Sequence, residues 1–268
     1  MALCDYYENL LSRTRENSEI YRINQGSLRH LSTETAELLG IALSYSEASG
    51  GRLDPTIGAV SCLWDFHAQE PTLPDKQQIS EALSRVDYHR VQLSGSTVTL
   101  EQKDILLDLG AVAKGYIADG IKEYLVEQGV TSAVIDLGGN ILCIGSRPDG
   151  NPFQIGVRQP FTESDSILME PLQIKDRSVV TSGIYERCFE VDGVLYHHLL
   201  DPDTGYPCDN ELASVTIISD HSVDGDALST ACYLLGLEKG LSLVREQENV
   251  QAIFITKDNE IIYSEQMN

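Results

Sequence analysis

The sequence predicts an α+β protein, a single compact domain over residues 1–268 with a large mixed β-sheet and packed helices. Three observations carry that prediction. Segments with apolar residues three and four apart read as helices. Short apolar runs joined by turn residues read as hairpins. Strand–turn–helix units are interleaved with both. No linker, repeat or low-complexity tract divides the chain.

The elements follow in order. Leu3, Tyr6, Tyr7, Leu10 and Leu11 form one apolar helical face starting almost at residue 1. A second helix runs from about Ser32 to Ser49 and closes at Gly50-Gly51, since glycine supplies the left-handed conformation that ends a helix. A short third helix carries Ile79, Ala82, Leu83 and Val86 on one face. Arg90–Leu93 and Thr97–Leu100 flank Ser94-Gly95-Ser96 as a hairpin. Ile105–Leu109 reads as a further strand, running through Gly110 into a helix whose face holds Ile117, Ile121, Tyr124 and Leu125. Ala133–Leu137 is a buried strand ending at Gly138-Gly139. Glu190–His197 turns at Asp192-Gly193, a type I′ hairpin signal. Ala213–Ser219 is a strand, followed by a helix from about Asp226 to Leu235 and a last hairpin, Ala252–Thr256 with Glu260–Tyr263.

Composition narrows the function. With 42% hydrophobic and 22% charged residues the chain is globular rather than disordered. A formal charge of −22 repels a polyanion, which argues against nucleic-acid binding. An anionic ligand would need a metal cation or a local donor cluster to offset that field. The cysteines, at 4, 62, 143, 188, 208 and 232, form no CxxC pair and match no zinc or disulfide pattern. No apolar run approaches the ~18 residues of a membrane span. The N-terminus lacks the basic start and apolar stretch of a signal peptide, so the chain as it stands reads as cytoplasmic, unless an export segment precedes it.

Several constellations could carry chemistry. In Asp226-Ala-Leu-Ser-Thr230 the carboxylate and hydroxyl lie four apart on a helix and so share a face. Two hard oxygens in that arrangement suit Mg²⁺, although a surface Asp near a helix start is the plain alternative. Asp108-Leu-Gly-Ala-Val-Ala-Lys-Gly115 is a strand-to-helix junction whose free N–H groups and Lys114 favour an anion. It is no P-loop, because Tyr116 stands where Lys-Ser/Thr should follow. His198 is a candidate catalytic base, since imidazole titrates near neutrality; His197 points to the opposite strand face. Asp201 and Asp203 invite an aspartyl-phosphate reading, which Gly205 argues against by holding the place of its Thr or Val. Thr181-Ser182-Gly183 is a hydroxyl-rich turn able to hold a phosphate, and Pro55 and its neighbouring glycines present Asp54 on a rigid loop.

In order along the chain, these segments resemble the ApbE family, the FAD:protein FMN transferases. The likeness rests on Ser18-Glu-Ile-Tyr-Arg-Ile-Asn24, Gly51-Arg-Leu-Asp-Pro-Thr-Ile-Gly58, Asp108-Leu-Gly-Ala-Val-Ala-Lys-Gly115 and Asp136-Leu-Gly-Gly139. It continues in Thr181-Ser-Gly183, His198-Leu-Leu-Asp-Pro-Asp-Thr-Gly205 and Asp226-Ala-Leu-Ser-Thr230. The resemblance implies a T-fold-like α+β domain, without a counterpart here to the family's first strand. It implies Mg²⁺-dependent transfer of FMN from FAD to a Thr or Ser of a partner flavoprotein, with release of AMP. It puts Mg²⁺ on the Asp226 and Thr230 side chains and the Ala111 carbonyl, and FAD against Asp54, Asp108, Lys114, Thr181, Ser182 and Leu200. It makes His198 the base for the acceptor hydroxyl. Thr14 and Leu53 stand where many members carry aromatics. An FAD pyrophosphatase yielding FMN and AMP, and a flavin-binding protein without turnover, are the competing expectations.

Overall fold

The computed structural model describes residues 2–162 and 166–264. In chain order the first elements are α1 (Ala2–Leu11), α2 (Glu19–Asn24), α3 (Thr33–Ala48), α4 (Gly58–Ser61), α5 (Lys76–Leu83), β1 (Val91–Ser94) and β2 (Thr97–Leu100). Then come α6 (Ala113–Glu127), β3 (Ser132–Asp136), β4 (Asn140–Gly145), β5 (Phe153–Ile155), β6 (Leu172–Ile174) and β7 (Ser178–Gly183). The chain ends with β8 (Cys188–Val191), β9 (Val194–His197), β10 (Leu212–Ser219), α7 (Ser222–Leu235), α8 (Leu237–Arg245), β11 (Gln251–Thr256) and β12 (Ile261–Tyr263). These elements group into two compact units, residues 1–113 with 186–209, and residues 114–185 with 210–268. Among the described residues no helix is long and apolar enough to cross a membrane.

In the first unit, local chemistry sets the helix ends. Ser32 caps α3 by accepting from the Thr35 N–H. At the other end Gly50 and Gly51 take φ of 61° and 82° and return their N–H groups to the Glu47 and Ser46 carbonyls, a Schellman closure. Asp192 and Gly193, at φ 53° and 76°, make the two-residue turn between β8 and β9. The core here gathers Ala59, Val60, Ile79, Ala82 and Leu200 around Trp64, whose indole N–H donates to the Gly205 carbonyl at 3.0 Å. Phe66 stacks on Trp64 and Tyr196 lies offset on the same ring system.

Residues 105–109 are not a strand. Ile105, Leu107 and Leu109 are buried, but the backbone of Leu107 is satisfied by the Asn24 side chain, which donates to its carbonyl at 2.9 Å and accepts from its N–H at 2.7 Å. A single parallel bridge, Ile57 to Leu106, and the Asp108 N–H on the Pro55 carbonyl complete the pairing. Alternating apolar residues recorded burial here, and an amide side chain took the place of a neighbouring strand.

The second unit is built on a six-stranded sheet, in the order β12-β11-β10-β7-β4-β3. Every pair in it is antiparallel rather than mixed. A tight turn with positive φ at Gly138 and Gly139 joins β3 to β4 and obliges those strands to run in opposite directions. β10 is buried along its whole length, with α7 on one face. On the other face lies a cluster that includes Cys143, Val179, Ile218, Ile253 and Ile255. β3 is an edge strand with Val134 exposed, not the buried strand its apolar run suggests. α6 packs Ala118, Ile121 and Leu125 on Ile135, Leu142 and Ile144, and leaves Tyr124 in solvent.

Candidate active site

In the second unit the predicted residues Lys114, Asp226, Thr230 and Ser182 gather around α7. Asp226 is 2% exposed. Its Oδ1 accepts from the Lys114 ammonium at 2.7 Å, and its Oδ2 accepts from the Gly115 N–H at 3.0 Å. A buried carboxylate needs such partners, since an unpaired one costs several kcal/mol, on the order of the penalty for a buried ion. Gly115 makes the arrangement possible. A Cβ there would sit 2.3 Å from the Ser222 carbonyl oxygen, so only glycine lets the two helices approach this closely.

Thr230 lies one turn beyond Asp226. Its hydroxyl is 3.1 Å from that of Ser182, which also bonds the Ser229 hydroxyl at 2.8 Å. Residues 181–183 are the end of β7, not a free turn. Strand alternation therefore separates the two predicted hydroxyls. Ser182 faces α7, whereas Thr181 faces away and bonds Thr216 at 2.8 Å. α7 begins at Ser222, earlier than the expected start near Asp226. Its cap comes from a residue the sequence did not single out: Asp119 on α6 accepts from the Ser222 and Val223 N–H groups at 2.8 and 2.9 Å.

The first unit holds Asp54, Asp108, Ala111, His198 and Leu200. Asp108 closes its own turn by accepting from the Gly110 N–H at 3.0 Å, and its other oxygen accepts from the Ser61 hydroxyl at 2.8 Å. Arg13 lies 3.1 Å from that same oxygen, a cation that sequence reasoning missed. The Ala111 residue, half-buried, follows directly in the turn that leads into α6.

Asp54 is committed to its loop. One oxygen accepts from the Thr56 N–H at 2.7 Å and hydroxyl at 2.6 Å, the other from the Tyr88 N–H at 3.0 Å. Burial raises its carboxyl above the ordinary range despite those donors. Leu200 places its side chain in the Trp64 cluster. His197 is buried at the end of β9, and His198 is half-buried just past it. The His198 Nδ1 lies 3.3 Å from the Arg187 carbonyl. A carbonyl only accepts, so Nδ1 carries the proton and Nε2 is the basic nitrogen. Arg52 clamps Asp201 at 2.9 Å and Asp203 at 3.0 Å, so the acidic pair serves as a pinned turn.

Known proteins match this chain throughout. The ApbE family profile covers residues 1–254. An FAD:protein FMN transferase of Klebsiella pneumoniae is 41% identical over 96% of this chain and 81% of its own length. One from Treponema pallidum is 38% identical over 97% and 76%. Among solved structures, the ApbE protein of Thermotoga maritima superposes with a TM-score of 0.88 at 30% identity, covering 98% of this chain and 88% of its own. The flavin transferase ApbE of Vibrio cholerae gives 0.86 at 28% identity, covering 98% and 85%. Fold and relatives together define an enzyme of the flavin-transferase class. The chain belongs to the ApbE family.

Proposed function

We propose that this enzyme transfers FMN from FAD to the hydroxyl of a Thr or Ser on a partner flavoprotein, releasing AMP, and that the reaction depends on Mg²⁺. The observation that supports this most directly is the buried Asp226 beside Thr230, with Lys114 and the Gly115 N–H on its carboxylate. The donor set fits the metal: a carboxylate and a hydroxyl, both hard oxygens on one helical face, with an ammonium already drawn to the carboxylate. Asp226, Thr230 and the Ala111 carbonyl would hold Mg²⁺, and the ion would there neutralise charge on pyrophosphate oxygens.

The chain's own groups have separate tasks. Lys114 and the Ser182 hydroxyl offer donors to the phosphates, aided by the positive end of α6. Asp108 braces the turn before α6, and Asp54 holds its loop. Leu200, with its side chain in the Trp64 cluster, and Thr181, with its hydroxyl on Thr216, would meet FAD through their backbones rather than their side chains. His198 takes the proton of the acceptor hydroxyl at Nε2. The hydroxyl oxygen bonds to the FMN-side phosphorus as the P–O bond to AMP breaks, and AMP leaves with that electron pair. A base in this position contributes about 10²–10⁴-fold.

The test is incubation of the enzyme with FAD, Mg²⁺ and a candidate acceptor flavoprotein. Covalent flavin on a Thr or Ser of the acceptor, lost in Asp226→Asn and on chelation, is expected. Free FMN and AMP with an unlabelled acceptor would replace transfer by pyrophosphatase activity, and full activity in chelator would remove the metal.

A further inference from the structure

Asp226 is not simply a buried carboxylate on α7. It accepts from the Gly115 N–H in the first turn of α6, where no intrahelical partner exists for that donor. Asp119, one turn further along α6, accepts from the first N–H groups of α7. His221, the residue before α7, supplies no side-chain cap of its own. The contacts therefore run in reversed register, Gly115 with Asp226 and Asp119 with Ser222. Between them the Gly115 Cα lies against the Ser222 backbone with no room for a Cβ. Burial raises the Asp119 carboxyl, so the fold holds this group where an ionised form is costly.

We infer that Asp119 is a positioning residue, which with Asp226 forms a reciprocal pair of caps, each carboxylate closing the start of the other's helix, and so sets where Asp226 stands. Its consequence for catalysis rests on reading Asp226 as the metal-binding carboxylate. Moving Asp119 would let the start of α7 shift against α6 and would loosen the Gly115–Asp226 contact without touching either residue.

Amide hydrogen exchange of the whole, metal-free chain tests the geometry. In Asp119→Ala the Gly115 amide should exchange about tenfold faster relative to amides of β10, the usual weight of a lost helix cap. In Asp226→Ala the Ser222 and Val223 amides should accelerate by a similar factor. That reciprocal measurement also decides the matter if Asp119→Ala fails to fold. Mn²⁺ binding, followed by electron paramagnetic resonance, should weaken about fivefold in Asp119→Ala, a coupling typical of residues in one hydrogen-bonded network. It should be unchanged in Asp75→Ala, which removes the cap of α5 instead. In Asp119→Ala kcat should fall with the KM for FAD unchanged. If Asp119→Ala accelerates exchange only at Ser222 and Val223 and leaves Gly115 protected, Asp119 is a local cap and the inference is overturned. Unchanged Ser222 and Val223 exchange in Asp226→Ala overturns it equally. If the wild type binds no Mn²⁺, the metal reading fails, and the exchange results still decide the positioning.

Discussion

Lys114→Met should tighten Mg²⁺ binding while slowing turnover. The Lys114 ammonium lies 2.7 Å from Asp226 Oδ1, an oxygen proposed to bind the ion. An ammonium so placed would compete with the ion for that oxygen. A charge-assisted hydrogen bond contributes about 1.5–3 kcal/mol. The Lys114 side chain is 40% exposed, and solvent screening lowers the figure to about 1 kcal/mol. At 1.36 kcal/mol per tenfold, that is about fivefold tighter Mg²⁺ in the variant. Without the ammonium the Asp226 carboxylate is left with a single N–H donor, so the metal-free variant should melt lower and regain stability as Mg²⁺ is added. Turnover should nevertheless fall about 10²-fold, because the pyrophosphate loses a donor aimed at developing charge. Calorimetric titration of Mg²⁺ without FAD, thermal melts with and without the ion, and steady-state transfer assays read these quantities separately. Unchanged or weaker Mg²⁺ binding in Lys114→Met would refute the competition and leave the lysine a plain ion-pair partner.

Other perturbations test the remaining parts. Gly115→Ala should destabilise the protein by about 3 kcal/mol in urea unfolding, since its Cβ would meet backbone that cannot yield without parting the helices. His198→Ala should lower transfer by about 10²–10⁴-fold with FAD binding preserved, whereas the His197→Ala variant should stay within about tenfold, and equal losses in both would remove the base assignment. Asp54→Asn should change the pH dependence of stability in a definite direction. The folded carboxyl titrates above its unfolded value, so wild-type stability declines as pH rises from the ordinary aspartate range through the raised one. The Asn variant lacks that decline, and the wild-type advantage in urea should be greater near pH 4, at about the unfolded aspartate value, than near pH 7.

What could be read from the sequence was local. Ser32 and Gly50-Gly51 bracket α3 with their own side chain and backbone freedom, and Asp192-Gly193 folds its hairpin in the same way. Where a partner comes from far along the chain, the local signal is silent. Residues 105–109 alternate like a strand, yet their partner is the amide of Asn24, 83 positions away from Leu107. Thr181 and Ser182 read as one hydroxyl-rich turn until strand pairing sends them to opposite faces. The Asp226–Thr230 spacing named a shared helical face correctly, because that relation is set by helix geometry alone.

The start of α7 shows why the site itself was only half legible. His221, at the cap position before α7, makes no side-chain cap, and the first donors of that helix are satisfied by Asp119, 103 positions before Ser222 in the chain. The same contact explains a demand that no single motif states. Gly115 must lack a side chain, Asp119 must reach the first turn of α7, and Asp226 must reach back to the first turn of α6. Each of these residues is ordinary for a helix taken alone. Together they hold the Asp226 carboxylate beside the Lys114 ammonium at the start of α6, and the chemistry proposed for the enzyme requires that combination.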